Sequence, residues 1–140
     1  MYQRTDLTDR GAVPCVKDVH GLAIQNRNFR TTIWTGKHMQ MTLMCIPEHE
    51  DIGLEVHEDA DQFLRVEKGS AVVKMGNCKH RPDFCETADE GDVIYVPAGT
   101  WHNVYNKGDC ALKLSATYAP PQHPIGTVHC TKADAEAYEK

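Results

Sequence analysis

The sequence predicts an all-β domain built as a sandwich or barrel, and three observations carry that expectation. From Thr31 onward the chain breaks into short runs of β-branched and large apolar residues, each bounded by Gly, Pro, Asn or Asp. No long helical pattern interrupts them. A length of 140 residues with 41% hydrophobic content suits one domain with one core.

Residues 1–30 carry mixed charge and little periodicity, and read as an N-terminal arm with at most one short strand. The strand-like runs then follow in order: TTIWTG, MQMTLMCIP, DIGLEVH, QFLRVEKG, SAVVKMG, DVIYVP, WHNVYN and ALKLSATYAP. Lys68-Gly69 reads as a hairpin turn between two of them. NCKHRPDFCETADEG reads as a polar loop joining two halves of the fold, and PQHPIGTVHC as an irregular stretch. Thr131 and Asp134 are spaced as a capping box for a short C-terminal helix. Cys45, inside an apolar run, is expected to be a small buried residue.

Composition narrows the function classes. A net charge of −5 with no dense Lys/Arg cluster argues against a nucleic-acid partner. No apolar run reaches the length that spans a bilayer, so no membrane partner is expected. The polar start, MYQRTDLTDRG, does not read as a secretory signal, so the six cysteines are expected to be reduced thiols in a cytoplasmic protein.

Two stretches carry chemistry. In a strand, residues two apart share a face, so Glu55 and His57 can converge on one ion. In the next strand Gln62, Leu64 and Val66 alternate with Asp61, Phe63, Arg65 and Glu67. The first set makes the better core face, which puts Gln62 inside and Asp61 outside. The second stretch is GDVIYVPAGTWHNVYN, where a tight turn at Pro97 and Gly99 delivers His102 to a strand. Glu55, His57 and His102 make a two-histidine, one-carboxylate set suited to Fe(II), with Mn, Ni or Zn as alternatives, and Gln62 would add a weaker oxygen donor. Asp61 rivals Gln62 on looser spacing. Gln40, Thr42 and Met44 alternate along an early strand as pocket candidates; Lys113 and Ser115 compete with their mirror register. Cys78, His80 and Cys85 do not follow a standard zinc spacing and read as a thiol-bearing loop. His123 and His129 are expected to cover the barrel mouth at most. Trp101 and Phe63 are expected to point outward, either as interface anchors or packed on the arm.

Gly91, Pro97, Gly99, His102 and Asn106 match, at every spacing, the second motif of the cupin superfamily, G-x5-P-x-G-x2-H-x3-N. The first cupin motif, G-x5-H-x-H-x3,4-E-x6-G, is met by type only at His57 and Gly69. Glu55 stands where its first histidine would be, Gln62 where its glutamate would be, and His49 where its leading glycine would be. The resemblance covers roughly Met39 to Pro120. It implies a double-stranded β-helix, or jelly roll, over residues 31–120, with residues 121–140 as a tail ending in a short helix. It further implies one divalent metal ion inside the barrel, a small-molecule ligand or substrate, and a homodimer. The chain is also loosely similar to small cupins labelled as sugar-phosphate isomerases. Two function classes follow. One is a metal-dependent enzyme on a small sugar or hydroxy/keto acid, of isomerase, epimerase or lyase type, with iron dioxygenase chemistry as the alternative. The other is a binding or sensing module without turnover.

Overall fold

The structure, a computed structural model, describes residues 4–139. Met1, Tyr2 and Gln3 of the expected arm, and Lys140 at the end of the expected helix, lie outside them. In chain order the elements are α1 (Val19–Gln25), β1 (Arg30–Thr35), β2 (Gln40–Ile46), β3 (Asp61–Lys68), β4 (Ser70–Gly76), β5 (Phe84–Asp89), β6 (Val93–Val96), β7 (Trp101–Asn106), β8 (Leu112–Ala119), β9 (Val128–His129) and α2 (Lys132–Glu139). They form two antiparallel sheets, a six-stranded one in the order β6-β3-β8-β2-β1-β9 and a three-stranded one in the order β5-β4-β7. The fold is an all-β jelly roll with a short C-terminal helix.

Alternation builds the core between the sheets. Met44, Ile46, Leu64, Val66, Val73, Val104, Leu114, Ala116 and Tyr118 are buried there in one cluster. A second cluster lies on the outer face of the large sheet, where Leu22 and Ala23 of α1 cover Ile33 and Leu43. The arm thus contributes a helix rather than a strand. Asp18 caps it, accepting from the Gly21 amide at 3.1 Å.

Several expectations are corrected. β3 and β4 belong to different sheets, so Lys68-Gly69 is a corner and not a hairpin. Gly69 makes that corner at φ 101°, a conformation that disfavours a Cβ. The run at 51–57 forms only two isolated bridges, Asp51 to Tyr105 and Glu55 to His102, rather than a full strand. Within the expected polar loop, Phe84–Asp89 pairs with β4 as an edge strand; only Ala88 is buried there, so no apolar alternation announced it. β9 pairs with β1 inside the stretch expected to be irregular. Glu67, expected outside and solvated, is buried: the ladder between β3 and β8 shifts register between Val66 and Lys68. Its carboxylate accepts from Ser115 Oγ at 2.8 Å and Arg65 at 2.8 Å, and lies 3.0 Å from His20 Nδ1 on α1. Cys45 is half-buried rather than buried. The expected capping box is present: Thr131 Oγ1 accepts from the Asp134 amide at 3.1 Å, and Asp134 accepts in return from the Thr131 amide at 3.2 Å.

Candidate metal centre

Backbone pairing brings the two chemistry-bearing stretches together. Glu55 and His102 exchange both main-chain hydrogen bonds, at 3.0 and 2.9 Å. Residues paired in this way present their side chains on the same face. The turn before β7 is clamped on either side of this pair. Gly99, at φ 78°, donates its N–H to the His57 carbonyl at 2.9 Å, and the Ala98 amide donates to Asp61 Oδ1 at 2.9 Å. Asp61 is exposed and engaged in the turn, whereas Gln62 points inward and is 4% exposed. Asn106, last residue of the second motif, donates to the carbonyls of Ile46 at 3.0 Å and Cys110 at 2.8 Å and so fixes the far end of β7.

Ligand atoms of Glu55, His57 and His102 all lie within 4.8 Å of one another. Glu55 Oε1 is 3.6 Å from His57 Nε2 and 3.4 Å from His102 Nε2, and neither Nε2 makes a hydrogen bond. These separations approach the roughly 3–3.5 Å between neighbouring donors in a shell of about 2.1 Å bonds. His102 Nδ1 lies 3.0 Å from the Thr100 carbonyl, an acceptor only; that bond takes the Nδ1 proton and makes Nε2 the ring atom turned toward Glu55. Burial would raise the Glu55 pKa, but the imidazoles of His102 and His57 outweigh it and hold the carboxyl well below the usual range. Both amide atoms of Gln62 are buried without a protein partner. The residues fit a divalent ion, for which they offer two imidazole nitrogens, one carboxylate and an adjacent amide oxygen.

The walls beside this cluster are polar as well. Tyr118 faces inward from β8, its ring edge-on to His57 at 5.5 Å and to His123 at 5.3 Å. Burial pushes the Tyr118 phenol up to about 12, and burial together with the Arg30 charge pushes His123 down to about 3. His123 Nε2 and Arg30 Nε are buried without a hydrogen-bond partner, and the buried Tyr118 hydroxyl lies beside Thr42 and Arg30. Of the pocket candidates, Thr42 faces this space and Met44 lies in the core below it. Gln40 is buried but occupied with the tail: it donates to the His123 carbonyl at 2.8 Å and accepts from the amides of Gln122 at 3.2 Å and His123 at 3.1 Å. Lys113 and Ser115 take the mirror register, on the outer face, bonded to the Asn26 carbonyl and to Glu67. Cys78, His80 and Cys85 are exposed and form no such cluster among the described residues. Phe63 packs 6.1 Å from the ring of Tyr95, and Lys79 lies 5.5 Å over Trp101.

Sequence reasoning did not place Arg30 and Tyr118 beside this cluster and left His123 as a cover. The signal for Tyr118 was its alternation with Leu114 and Ala116. The signal for Arg30 was weaker, since it opens a strand straight out of a mixed-charge arm.

A jelly roll of two antiparallel sheets with histidine and glutamate donors gathered at the turn into one strand defines a cupin. The chain belongs to the cupin domain family, whose model matches residues 42–118. It is 53% identical over 133 residues to YrkC of Bacillus subtilis (strain 168), a match spanning 95% of this chain and 72% of that one. It is 39% identical over 114 residues to L612 of Acanthamoeba polyphaga mimivirus, covering 81% and 69% of the two chains. Among solved structures, BH2720 of Bacillus halodurans superposes with a TM-score of 0.92 at 52% identity, over 93% of this chain and 98% of that one. Among the described residues no helix is long and apolar enough to cross a membrane.

Proposed function

We propose that the chain is a metal-dependent enzyme of isomerase, epimerase or lyase type acting on a small sugar or hydroxy/keto acid. Glu55, His57 and His102 would hold one divalent ion (Fe, Mn, Ni or Zn), with Gln62 as a fourth oxygen donor. The observation behind this reading is the convergence of three ligand atoms within 4.8 Å, with both Nε2 atoms free of hydrogen bonds. A bound divalent ion supplies Lewis acidity toward a ligand carbonyl or hydroxyl oxygen. The chain's own groups then handle orientation and protons. Tyr118, protonated across the working pH range, donates a hydrogen bond to a ligand oxygen. His123, neutral over the same range, offers Nε2 as a proton acceptor. Gln62 orients the ligand or its first oxygen through its amide.

Elemental analysis of the purified chain tests the reading. We expect one divalent ion per chain, lost in both His57→Ala and His102→Ala. Absence of metal, together with no thermal shift on adding Mn, Fe, Ni or Zn, would sink it. Oxygen uptake with candidate substrates separates isomerase from dioxygenase chemistry.

A further inference from the structure

Arg30 is the first residue of β1 and pairs with Met44, whose side chain lies in the barrel core. It is 2% exposed. No carboxylate among the described residues lies within 4.0 Å of it. It lies against the Phe29 ring, 5.3 Å from the guanidinium carbon, against His129 Nδ1, 3.4 Å from one terminal nitrogen, and beside the Tyr118 phenol, while Nε has no partner and none of these neighbours is an anion. A guanidinium does not give up its proton, so this cation stays charged in the interior. Buried charges are kept where something pairs with them.

The surroundings say what that partner is. Thr32 pairs with Thr42 on the neighbouring strand, both are buried, and the Tyr118 phenol lies beside Thr42 and Arg30. Tyr118 joins the two ends: its ring stands edge-on to His57 at 5.5 Å, His57 Nε2 is 3.6 Å from Glu55, and its phenol lies beside Arg30, so the cation and the candidate metal ligands flank the same side chain. The space around it has a donor set for a cation near His57 and a fixed positive charge beside the threonine hydroxyls. We propose that Arg30 anchors a carboxylate of the ligand, making the substrate a small hydroxy or keto acid rather than a neutral sugar. The proposal rests on reading Glu55, His57 and His102 as the metal site. The ligand's carboxylate pairs with the guanidinium fork, and its hydroxyl or keto oxygen turns toward the metal ligands. A carboxylate matches that fork and carries one charge against one cation. A phosphate would bring a second charge, and the neighbouring Thr32, Thr42 and Tyr118 supply only hydroxyls to meet it.

Calorimetric titration of the full chain, metal-loaded and metal-stripped, with glycolate, its neutral isostere glycolamide, and inorganic phosphate tests this. We expect glycolate to bind roughly tenfold or more tightly than glycolamide, the difference expected for one charged hydrogen-bonded pair. Arg30→Met should abolish that preference and Arg30→Lys should keep part of it, with metal content unchanged in both. Binding of glycolamide as tight as glycolate, a preference that survives in Arg30→Met, tighter binding of phosphate, or no glycolate binding at all would each overturn the proposal. Elemental analysis of the same samples separates the two readings. A chain without metal defeats the metal site, and the glycolate preference of the metal-stripped chain still decides on Arg30.

Discussion

His49 sits at φ 64° in the turn before the metal loop, in the left-handed region, with its side chain 90% exposed. The cupin motif places glycine here, and the backbone keeps a glycine conformation under a histidine. A side chain in that region costs about 1 kcal/mol, which glycine avoids while giving back part of the gain as freedom in the unfolded chain. His49→Gly is therefore expected to leave the thermal midpoint unchanged or slightly raised, and His49→Val, β-branched, to lower stability by about 1–2 kcal/mol. Equal losses in both variants, measured by urea unfolding, would contradict this. Gln62 makes the opposite case. Its amide is buried with both atoms unpartnered, an arrangement that costs about 1 kcal/mol or more in a metal-free chain. With chelator present, Gln62→Leu should gain about that much stability; a loss instead would show that the amide is satisfied within the metal-free fold.

At the scale of elements, Asp9 ties three of them together. Its carboxylate accepts from Thr35 Oγ1 at the end of β1 at 2.5 Å, from the Gly11 amide in the arm at 2.9 Å, and from the Gly126 amide in the tail at 3.4 Å. Burial opposes ionisation, but these hydrogen bonds and that of Thr32 outweigh it, and the carboxyl lies below its ordinary value of 3.8. A lowered pKa means that the stabilisation is present above the ordinary value and is lost as pH falls through the folded one. Urea midpoints of the native chain and Asp9→Ala should therefore differ at pH 7 and pH 5, and the gap should narrow at pH 3. A gap that stays constant to pH 3 would show that the charge is not what binds the arm. Legibility in the sequence also varied by element. β2, β3, β4, β6, β7 and β8 alternate or run apolar and were readable, whereas β5 buries one side chain and α1 spans seven residues around Gly21. The convergence of Glu55 and His57 with His102 was readable because the spacing of the second motif located His102 at the start of a strand. Arg30 was not, for a reason specific to the large sheet. The outer face of β1 and β2 carries Ile33 and Leu43 beneath α1, while the inner face carries Arg30, Thr32, Gln40 and Thr42. Where both faces are buried and the inner one is polar, apolar alternation points the wrong way.

For the whole molecule, this inversion means that the polar inner face of β1 and β2 is held in place from outside. Strands β1 and β2 keep polar side chains toward the site because their apolar ones are paid for by α1, through a buried cluster of Leu22, Ala23, Ile33 and Leu43. The same helix reaches the sheet a second time through His20 and the buried Glu67 carboxylate, which also binds Arg65 and Ser115. The family match at residues 42–118 includes neither α1 nor β1 nor β9, so the matched segment alone would expose Leu43 and lack Arg30. Leu22 is fully buried, and truncating such a leucine costs about 2–5 kcal/mol. Leu22→Ala should lower the unfolding free energy within that range and should also weaken glycolate binding, although Leu22 packs on the face opposite the pocket. Normal binding in a destabilised Leu22→Ala chain would show that the inner face of β1 keeps its arrangement without the helix.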